Sequence, residues 1–443
     1  MASSRTARLV RMQDVARVGI CALIPSILFL AHFAHGADAL GATAWFGLAA
    51  CGSLGAIVLM RSARDVPVTT LILFGGLAVW SLLGLTGNWF QARAEVLQLA
   101  AGIVFWTAGA MIARSRQLLM TSWSALTASH AVIAAAALLS YPVIAAEVSP
   151  AGRTELTRLS FTFASPDVLA SLMGMASIVA TMHLAYMMRV RVPRDVPVLA
   201  KLSHLPRSAY PSIFSLFLCV SCLLLSLSYV AIFLTLAALT AIAATEVFVR
   251  RSSETLSLGR HRYLFIGAIV AIFLVSTLFM MASGDAAQSR DALELDSAGH
   301  FARLSEYWAA WQHKPFFGHG LGSFESVNAS ITTMENATAL VPLDQANNVV
   351  FQWLLQAGLA GLVIMAAVQA WFHWHVFRGT FQAANHTKSY VSRMALTVSA
   401  FLLLHNMIDF PLEIPSIMWT YAFLLGLACG MPDSAGVRDR QQQ

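Results

Sequence analysis

Charge is what this sequence has least of. Asp, Glu, Lys and Arg make up 11% of its 443 residues, where a soluble globular domain carries roughly 25%. That shortfall excludes a soluble fold built around one buried core. No stretch is long and polar enough to form a separate soluble domain, so the chain reads as one membrane domain over 1–443. Cysteine is also scarce: Cys21, Cys51, Cys219, Cys222 and Cys429 all lie inside apolar runs. Cys219 and Cys222 have Cys-x-x-Cys spacing, but no His or second pair follows to complete a zinc site. Neither a disulfide framework nor a metal is expected, and these cysteines read as small helix-packing residues. There is no repeat of 20–50 residues, no low-complexity tract and no coiled-coil heptad. The net charge of +6 is no nucleic-acid signal, because in a membrane protein the location of positive charge matters more than its sum.

What is abundant is apolar length. Hydrophobic residues make up 58% of the chain, and the mean hydropathy is +0.67. Runs of about 18 or more apolar residues recur throughout, each able to cross about 30 Å of hydrocarbon as a helix. Barrel strands alternate over about 10 residues and do not look like this. The fold class is an all-α integral membrane protein of about 12 transmembrane helices. The spans read as 18–36, 43–60, 67–86, 96–113, 122–146, 163–188, 211–227, 230–249, 263–283, 347–370, 394–410 and 415–431. The first run reads as a retained helix rather than a cleaved signal peptide, because it is long for the apolar region of one.

Basic residues set the orientation. With both termini inside, 22 of the 28 Lys and Arg residues fall in cytoplasmic segments, as the positive-inside bias demands. Six remain outside: Arg93, Arg153, Arg158, Arg290, Arg303 and Lys314. The expected location is a bacterial inner membrane, crossed many times. Between the ninth and tenth helices lies one large outer loop, 284–346, which holds three of the six external cations. Loops of such length are usually functional.

Four groups of residues could carry chemistry, and each also has a structural reading. The outer arginines Arg158, Arg290 and Arg303 could anchor at the interface or pair with Asp285, Asp291, Glu294 and Asp296. They could equally bind an anion, since guanidinium forks match phosphate oxygens. In the large loop, 303–311 reads as a short amphipathic helix closed at Pro315. Gly318, Gly320 and Gly322 then form a tight turn or a close backbone approach. A Rossmann reading fails, because no strand precedes them. Asp344, Gln345, Asn347 and Asn348 sit at the outer end of the tenth helix, where an Asx residue would cap it or polar pairs would face a phosphate or sugar. Finally, His405 and Asp409 are four apart at the end of the eleventh span and are expected to share a helical face. They lock the hairpin to each other or serve a site.

Taken in order, these pieces resemble a known family. Arg158-Leu-Ser-Phe-Thr162-Phe163 opens a middle helix, and Ser226-Leu-Ser228-Tyr229 makes the next turn. Arg303 precedes a Trp-rich helix leading into Pro315-Phe-Phe-Gly318-His-Gly320-Leu-Gly322-Ser-Phe324. Asn348 starts a helix that runs to Gly361, and His405-Asn-Met-Ile-Asp409-Phe-Pro411-Leu-Glu-Ile-Pro415 closes the set. This resembles the bacterial O-antigen ligase and Wzy-type polysaccharide polymerase family over roughly 155–430.

The resemblance implies a metal-independent glycosyltransferase at the periplasmic face, with no cofactor. It would move a glycan from undecaprenyl pyrophosphate onto an acceptor hydroxyl of another glycan, of lipid A–core or of a serine. Its partners would be that lipid-linked glycan, the acceptor and membrane lipid, with no nucleic acid. On this reading Arg158, Arg303 and Arg290 clamp the diphosphate, and Tyr229, Asn347, Asn348, His405 and Asp409 support the glycan or the scaffold. The chain departs from the family at two places. Ser228-Tyr229-Val230 stands where Ser-Arg-Gly is usual, and Gln345-Ala-Asn347-Asn348 stands where His-x-His-Asn is usual. Tyr229 keeps a hydrogen bond but no charge, and Asn347 cannot take a proton. Asp344, His319 or His300 could supply the base, and spacing does not select among them. Two competing readings are a non-catalytic relative or scaffold in polysaccharide assembly and a secondary transporter. Against the transporter, no internal pseudo-repeat is visible.

Overall fold

The computed structural model describes residues 19, 22–60, 66–83, 85, 87–148, 158–163, 165–191, 206–251, 302–341, 343–382 and 385–432. Arg290, His300 and the expected ninth span 263–283 lie outside the described residues. Every regular element among those described is helical. In chain order they include α1 (Ala22–Phe33), α2 (Leu40–Met60), α3 (Val68–Leu82), α4 (Trp89–Ile112), α5 (Arg116–Val148), α6 (Pro166–Arg191), α7 (Tyr210–Leu225) and α8 (Tyr229–Arg251). A helix over 302–313, α9, leads to α10 (Phe324–Ile331), α11 (Ala337–Leu340), α12 (Val349–Gln382), α13 (His386–His405) and α14 (Pro415–Cys429).

Seven of these helices are long and apolar enough to cross a membrane: α2, α4, the first 27 residues of α5, α6, α7 with the short turn before it, α8 up to Glu246, and α12 up to Thr380. α1, α3 and α14 are shorter apolar helices. Large apolar side chains stand exposed on α2 and α3, among them Trp45, Leu59, Leu71 and Ile72. A soluble protein would not present such a surface, and the chain is a multi-pass membrane protein.

The core is centred on α6, whose residues from Val168 to Ala180 are all buried. The most extensive helix pair is α4 with α14. Gly109 and Gly426 let those backbones touch: a Cβ at Gly109 would meet the Phe423 carbonyl, and one at Gly426 the Trp106 carbonyl. Small residues at helix contacts are how apolar helices associate without a hydrophobic drive between them. At one end of the bundle α8 is tied to α13. Arg393 Nη1 meets Glu246 Oε1 at 2.8 Å, and the Tyr390 hydroxyl donates to Glu246 Oε2 at 2.6 Å. We call this the lower end. The opposite, upper end carries the starts of α4, α6, α8, α12 and α14 and the end of α13.

The sequence reading treated 394–410 as one helical run, with His405 and Asp409 on one face. The structure corrects this. α13 stops at His405, with Asn406 as its C-cap, and 406–409 form a turn. The pair is joined by a backbone bond, Asp409 N–H to His405 O at 3.0 Å, and His405 spends its ring on another helix.

α12 is broken at Gly358, where φ is 63° and ψ is −167°. A break inside apolar surroundings leaves amide groups that must find partners. In an intact helix Leu355 O would accept from Leu359 N–H, and Gln356 O from Ala360 N–H. Here those four groups turn to the glycine turn of the large loop instead. His319 N–H donates to Leu355 O at 2.8 Å and Gly320 N–H to Gln356 O at 2.8 Å. In return, Leu359 N–H reaches Pro315 O at 2.9 Å and Ala360 N–H reaches Phe316 O at 3.0 Å. Two helical bonds have been exchanged for four between loop and helix. Backbones this close leave no room for side chains. A Cβ on Gly318, whose φ is 67°, would lie 2.5 Å from Gln356 C and 2.6 Å from Gly358 N.

Gly318→Ala therefore meets both a left-handed φ, costing about 1–2 kcal/mol for an L-residue, and a clash with backbone that cannot rotate away. The variant is expected to unfold at a clearly lower temperature in detergent than wild type, with the loop more open to protease. Unchanged melting and proteolysis would contradict the clasp.

Candidate functional site

Arg158 is built into the upper end from three directions. The Leu159 N–H donates to Leu225 O at 3.1 Å, which seats the segment on the end of α7. The Thr162 hydroxyl donates to His32 O at 2.9 Å, and His35 Nδ1 meets Thr162 O at 2.8 Å, which ties it to the end of α1. The Arg158 guanidinium then reaches the α7–α8 turn, with Nε donating to Ser226 O at 3.0 Å. Its Nη2 meets Asp167 Oδ1, on the first turn of α6, at 2.7 Å. A guanidinium carries five N–H donors, so most of the fork is not consumed, and the side chain is 41% exposed.

The 405–415 hairpin stands beside it. His405 Nδ1 pairs with Ser171 Oγ at 2.7 Å, and Ser171 in turn donates to Asp167 O at 2.9 Å. His405 is thus keyed into α6 one turn below the partner of Arg158. Asp409 is also close to this group. Burial first, and the negative charge of Asp167 second, hold its carboxyl above the usual range, with Arg158 acting in the opposite direction. Asp409 Oδ2 and Asn406 Nδ2 are buried without a hydrogen-bond partner among the described residues.

Asn348 joins this hairpin to α12. Its Oδ1 accepts from Val350 N–H at 3.0 Å and Phe351 N–H at 3.2 Å, the N-cap arrangement. Its Nδ2 donates to Met407 O at 2.8 Å, and Val349 N–H donates to Asn406 O at 2.8 Å. The capping reading of this motif therefore holds for Asn348. Asn347 takes a left-handed φ of 51°, a conformation Asn tolerates through its short polar side chain. Gln345 is held by Gln352, whose Nε2 donates to its Oε1 at 2.6 Å. Asp344 is exposed and neighbours Asp38 in the α1–α2 connection. Desolvation, and then the Asp344 carboxylate, raise the Asp38 pKa.

Arg303 lies in the first turn of α9. One turn later on the same face, Tyr307 is fully buried against Phe324 and Phe351, with ring centroids 5.5 and 6.5 Å away. This contact lays the Arg303 face of α9 over the first turns of α12. Burial pushes the Tyr307 hydroxyl up to about 12, and the Arg303 charge acts against that shift. Tyr229 opens α8 directly after the Ser226 turn and is 40% exposed.

His319 stands apart from Arg158. It belongs to the clasp, against the α3–α4 connection, where Gly87 approaches the Gly320 backbone. Its Nδ1 meets Leu355 O at 3.1 Å. A carbonyl can only accept, so Nδ1 carries the hydrogen and Nε2 the lone pair. Desolvation, with Lys314 and His313 nearby, lowers its pKa despite the Leu355 bond. Its placement is that of a neutral, structural histidine.

The structure thus gathers Arg158, His405, Asp409, Asn348 and, through Asp38, Asp344 at one end, with Arg303 above the start of α12. Sequence reasoning missed Asp167 and Ser171. The arginine partners it considered were all in the large loop, whereas Arg158 pairs with the first turn of its own helix. The signal was Ser165-Pro166-Asp167, a helix start that favours a carboxylate. Among the described residues no three His, Cys, Asp or Glu side chains are grouped to hold a metal ion.

Residues 214–366 match the family model described as O-antigen ligase. Over that stretch the chain is similar to the O-antigen ligase family. The stretch takes in the Ser226–Tyr229 turn, Arg303, the glycine turn, Asn348 and the break in α12, and it stops short of Arg158 and the 405–415 hairpin. A curated relative, the General O-oligosaccharyltransferase of Acinetobacter baylyi, is 25% identical over 182 residues, which is 38% of this chain and 29% of the relative. The chain therefore spans less than a third of the length of that relative in the match.

Asn348 gives a test of this scaffold. Asn348→Ala removes both the cap and the tie to Met407 and should cost about 1–2 kcal/mol or more. Asn348→Asp keeps the capping acceptor and loses only the Nδ2 donor, so it should fall between wild type and the alanine variant in thermal unfolding. Equal loss in both variants would show that the cap contributes nothing.

Proposed function

We propose that the chain is a glycosyltransferase at the periplasmic face of the bacterial inner membrane. It moves a glycan from undecaprenyl pyrophosphate to an acceptor hydroxyl, as a polysaccharide polymerase or O-antigen ligase does. The observation that carries this reading is Arg158, fixed by Ser226 O and Asp167 with much of its fork unspent, against the Ser226–Tyr229 turn that the family-matched region takes in. Support for the outward orientation is the charge bias, which leaves this end poor in Lys and Arg.

The chemistry follows from charge. The acceptor oxygen attacks the anomeric carbon, the bond from that carbon to the diphosphate oxygen breaks, and undecaprenyl pyrophosphate leaves with the electron pair. Negative charge grows on the diphosphate as the bond breaks, and prepositioned cations stabilise it most at that moment. Arg158 and Arg303 take that role, with Arg290 as a third member of the clamp. The acceptor proton passes to a carboxylate. Asp344 is our choice of base because it is exposed at the Arg158 end, whereas His319 is bound into the clasp. Asn347 orients the acceptor, and Tyr229 supplies a hydrogen bond beside the clamp.

Arg158→Ala and Arg303→Ala should each lower glycan transfer by about 10²–10³-fold, and Asp344→Asn by about 10²–10⁴-fold, with membrane insertion unchanged. The readout is glycan analysis of a deletion strain complemented with each variant. Normal glycans with both arginine variants would remove the clamp. Glycans unchanged by the deletion itself would favour a non-catalytic relative.

A further inference from the structure

The clasp has an outward side that the transfer reaction does not use. Between Pro315 and Gly318, Phe316 and Phe317 are 68% and 53% exposed. Isolated exposed phenylalanines are common, but these two sit on a boundary that two helices mark independently. The first is α12. Its 34 residues are broken at Gly358, so only the arm below the break is a continuous helix, and at about 1.5 Å per residue that arm alone is long enough to cross the roughly 30 Å hydrocarbon layer. Counting back about 20 residues, the length of one crossing, from Arg378 at the lower end reaches Gly358, where the turn is clasped.

The second is α4. Its first residues, Trp89 and Phe90, are exposed, and Arg93 lies 5.4 Å from the Phe90 ring. That is the aromatic and cationic composition of a membrane–water interface. The glycine turn is packed against this same first turn, since a Cβ at Gly322 would meet the Gln91 carbonyl. Just below the clasp, Leu359 and Val363 on α12 are exposed as well. The Ala360 N–H bond to Phe316 O, at 3.0 Å, sets the two exposed phenylalanines next to that exposed stretch of α12. Lys314, exposed beside them, can extend its ammonium to phosphate while its stem lies on apolar ground.

We infer that Phe316 and Phe317 insert into the bilayer at the headgroup–acyl boundary of the leaflet on the upper side, with phospholipid as their partner. The clasp then transmits that anchorage to α9, so that Arg303 is held at a fixed height above the membrane. This inference stands on exposure and position and is independent of the reaction proposed above.

The test uses the full chain reconstituted in phosphatidylcholine vesicles containing a phospholipid with a diazirine placed high on its acyl chain. After illumination, lipid adducts are mapped by peptide mass spectrometry. Adducts are expected on 314–318 together with those on the exposed face of α12, and the double variant Phe316→Ser, Phe317→Ser should lose the former and keep the latter. Adducts on α12 and α4 but none on a detected 314–318 peptide would overturn the inference. The same holds if that peptide is cross-linked to a second copy of the chain instead.

Discussion

Four backbone groups at the break in α12 govern the upper half of this protein. Away from water an unpaired amide is costly, so the break at Gly358 persists only because the Pro315–Gly320 backbone supplies every missing partner. The exchange fixes a loop to a helix through backbone groups, with side-chain bonds from His319 Nδ1 to Leu355 O and from Gly322 N–H to Gln356 Oε1 beside them. Everything downstream inherits that fixity. The position of α9, and with it Arg303, follows from the clasp at one end and from Tyr307 packing at the other.

Around Arg158 the logic is different and electrostatic. A partly exposed guanidinium at this end of the bundle needs a holder. The holders are Ser226 O and Asp167, and they leave the side chain partly exposed. Asp167 also serves the second neighbour, because its carbonyl accepts from Ser171, which in turn keys His405. One turn of α6 therefore aligns both the cation and the closing hairpin. The buried atoms Asn406 Nδ2 and Asp409 Oδ2, without a hydrogen-bond partner among the described residues, lie in that same hairpin.

Much of this was legible in the sequence, and the failures have physical causes. Helix existence and the turn at Ser226–Tyr229 could be read because apolar length is an unambiguous signal. The N-cap role of Asn348 was equally readable, since capping is local. The glycine pattern announced a close backbone approach but not its partner, because nothing local marks Leu355–Ala360 as the acceptor of a loop. The i, i+4 reading of His405 and Asp409 failed for a related reason: spacing implies a shared face only while the helix continues, and α13 ends at His405. Likewise, no pattern links Arg158 to a carboxylate nine residues later across a bend. The choice between Asp344 and His319 as base became a reasoned one only when the structure showed His319 bound to Leu355 O.

The central claim is that a diphosphate-linked glycan is cleaved at the upper end. Its most direct test is turnover by the purified chain in proteoliposomes. Donor would be supplied as undecaprenyl pyrophosphate-linked glycan, with and without a hydroxyl-bearing acceptor glycan, and release of undecaprenyl pyrophosphate would be followed. The account predicts release that depends on both acceptor and protein. No release from folded, correctly inserted protein with any acceptor class, whether glycan repeat, lipid A–core or serine peptide, would contradict it.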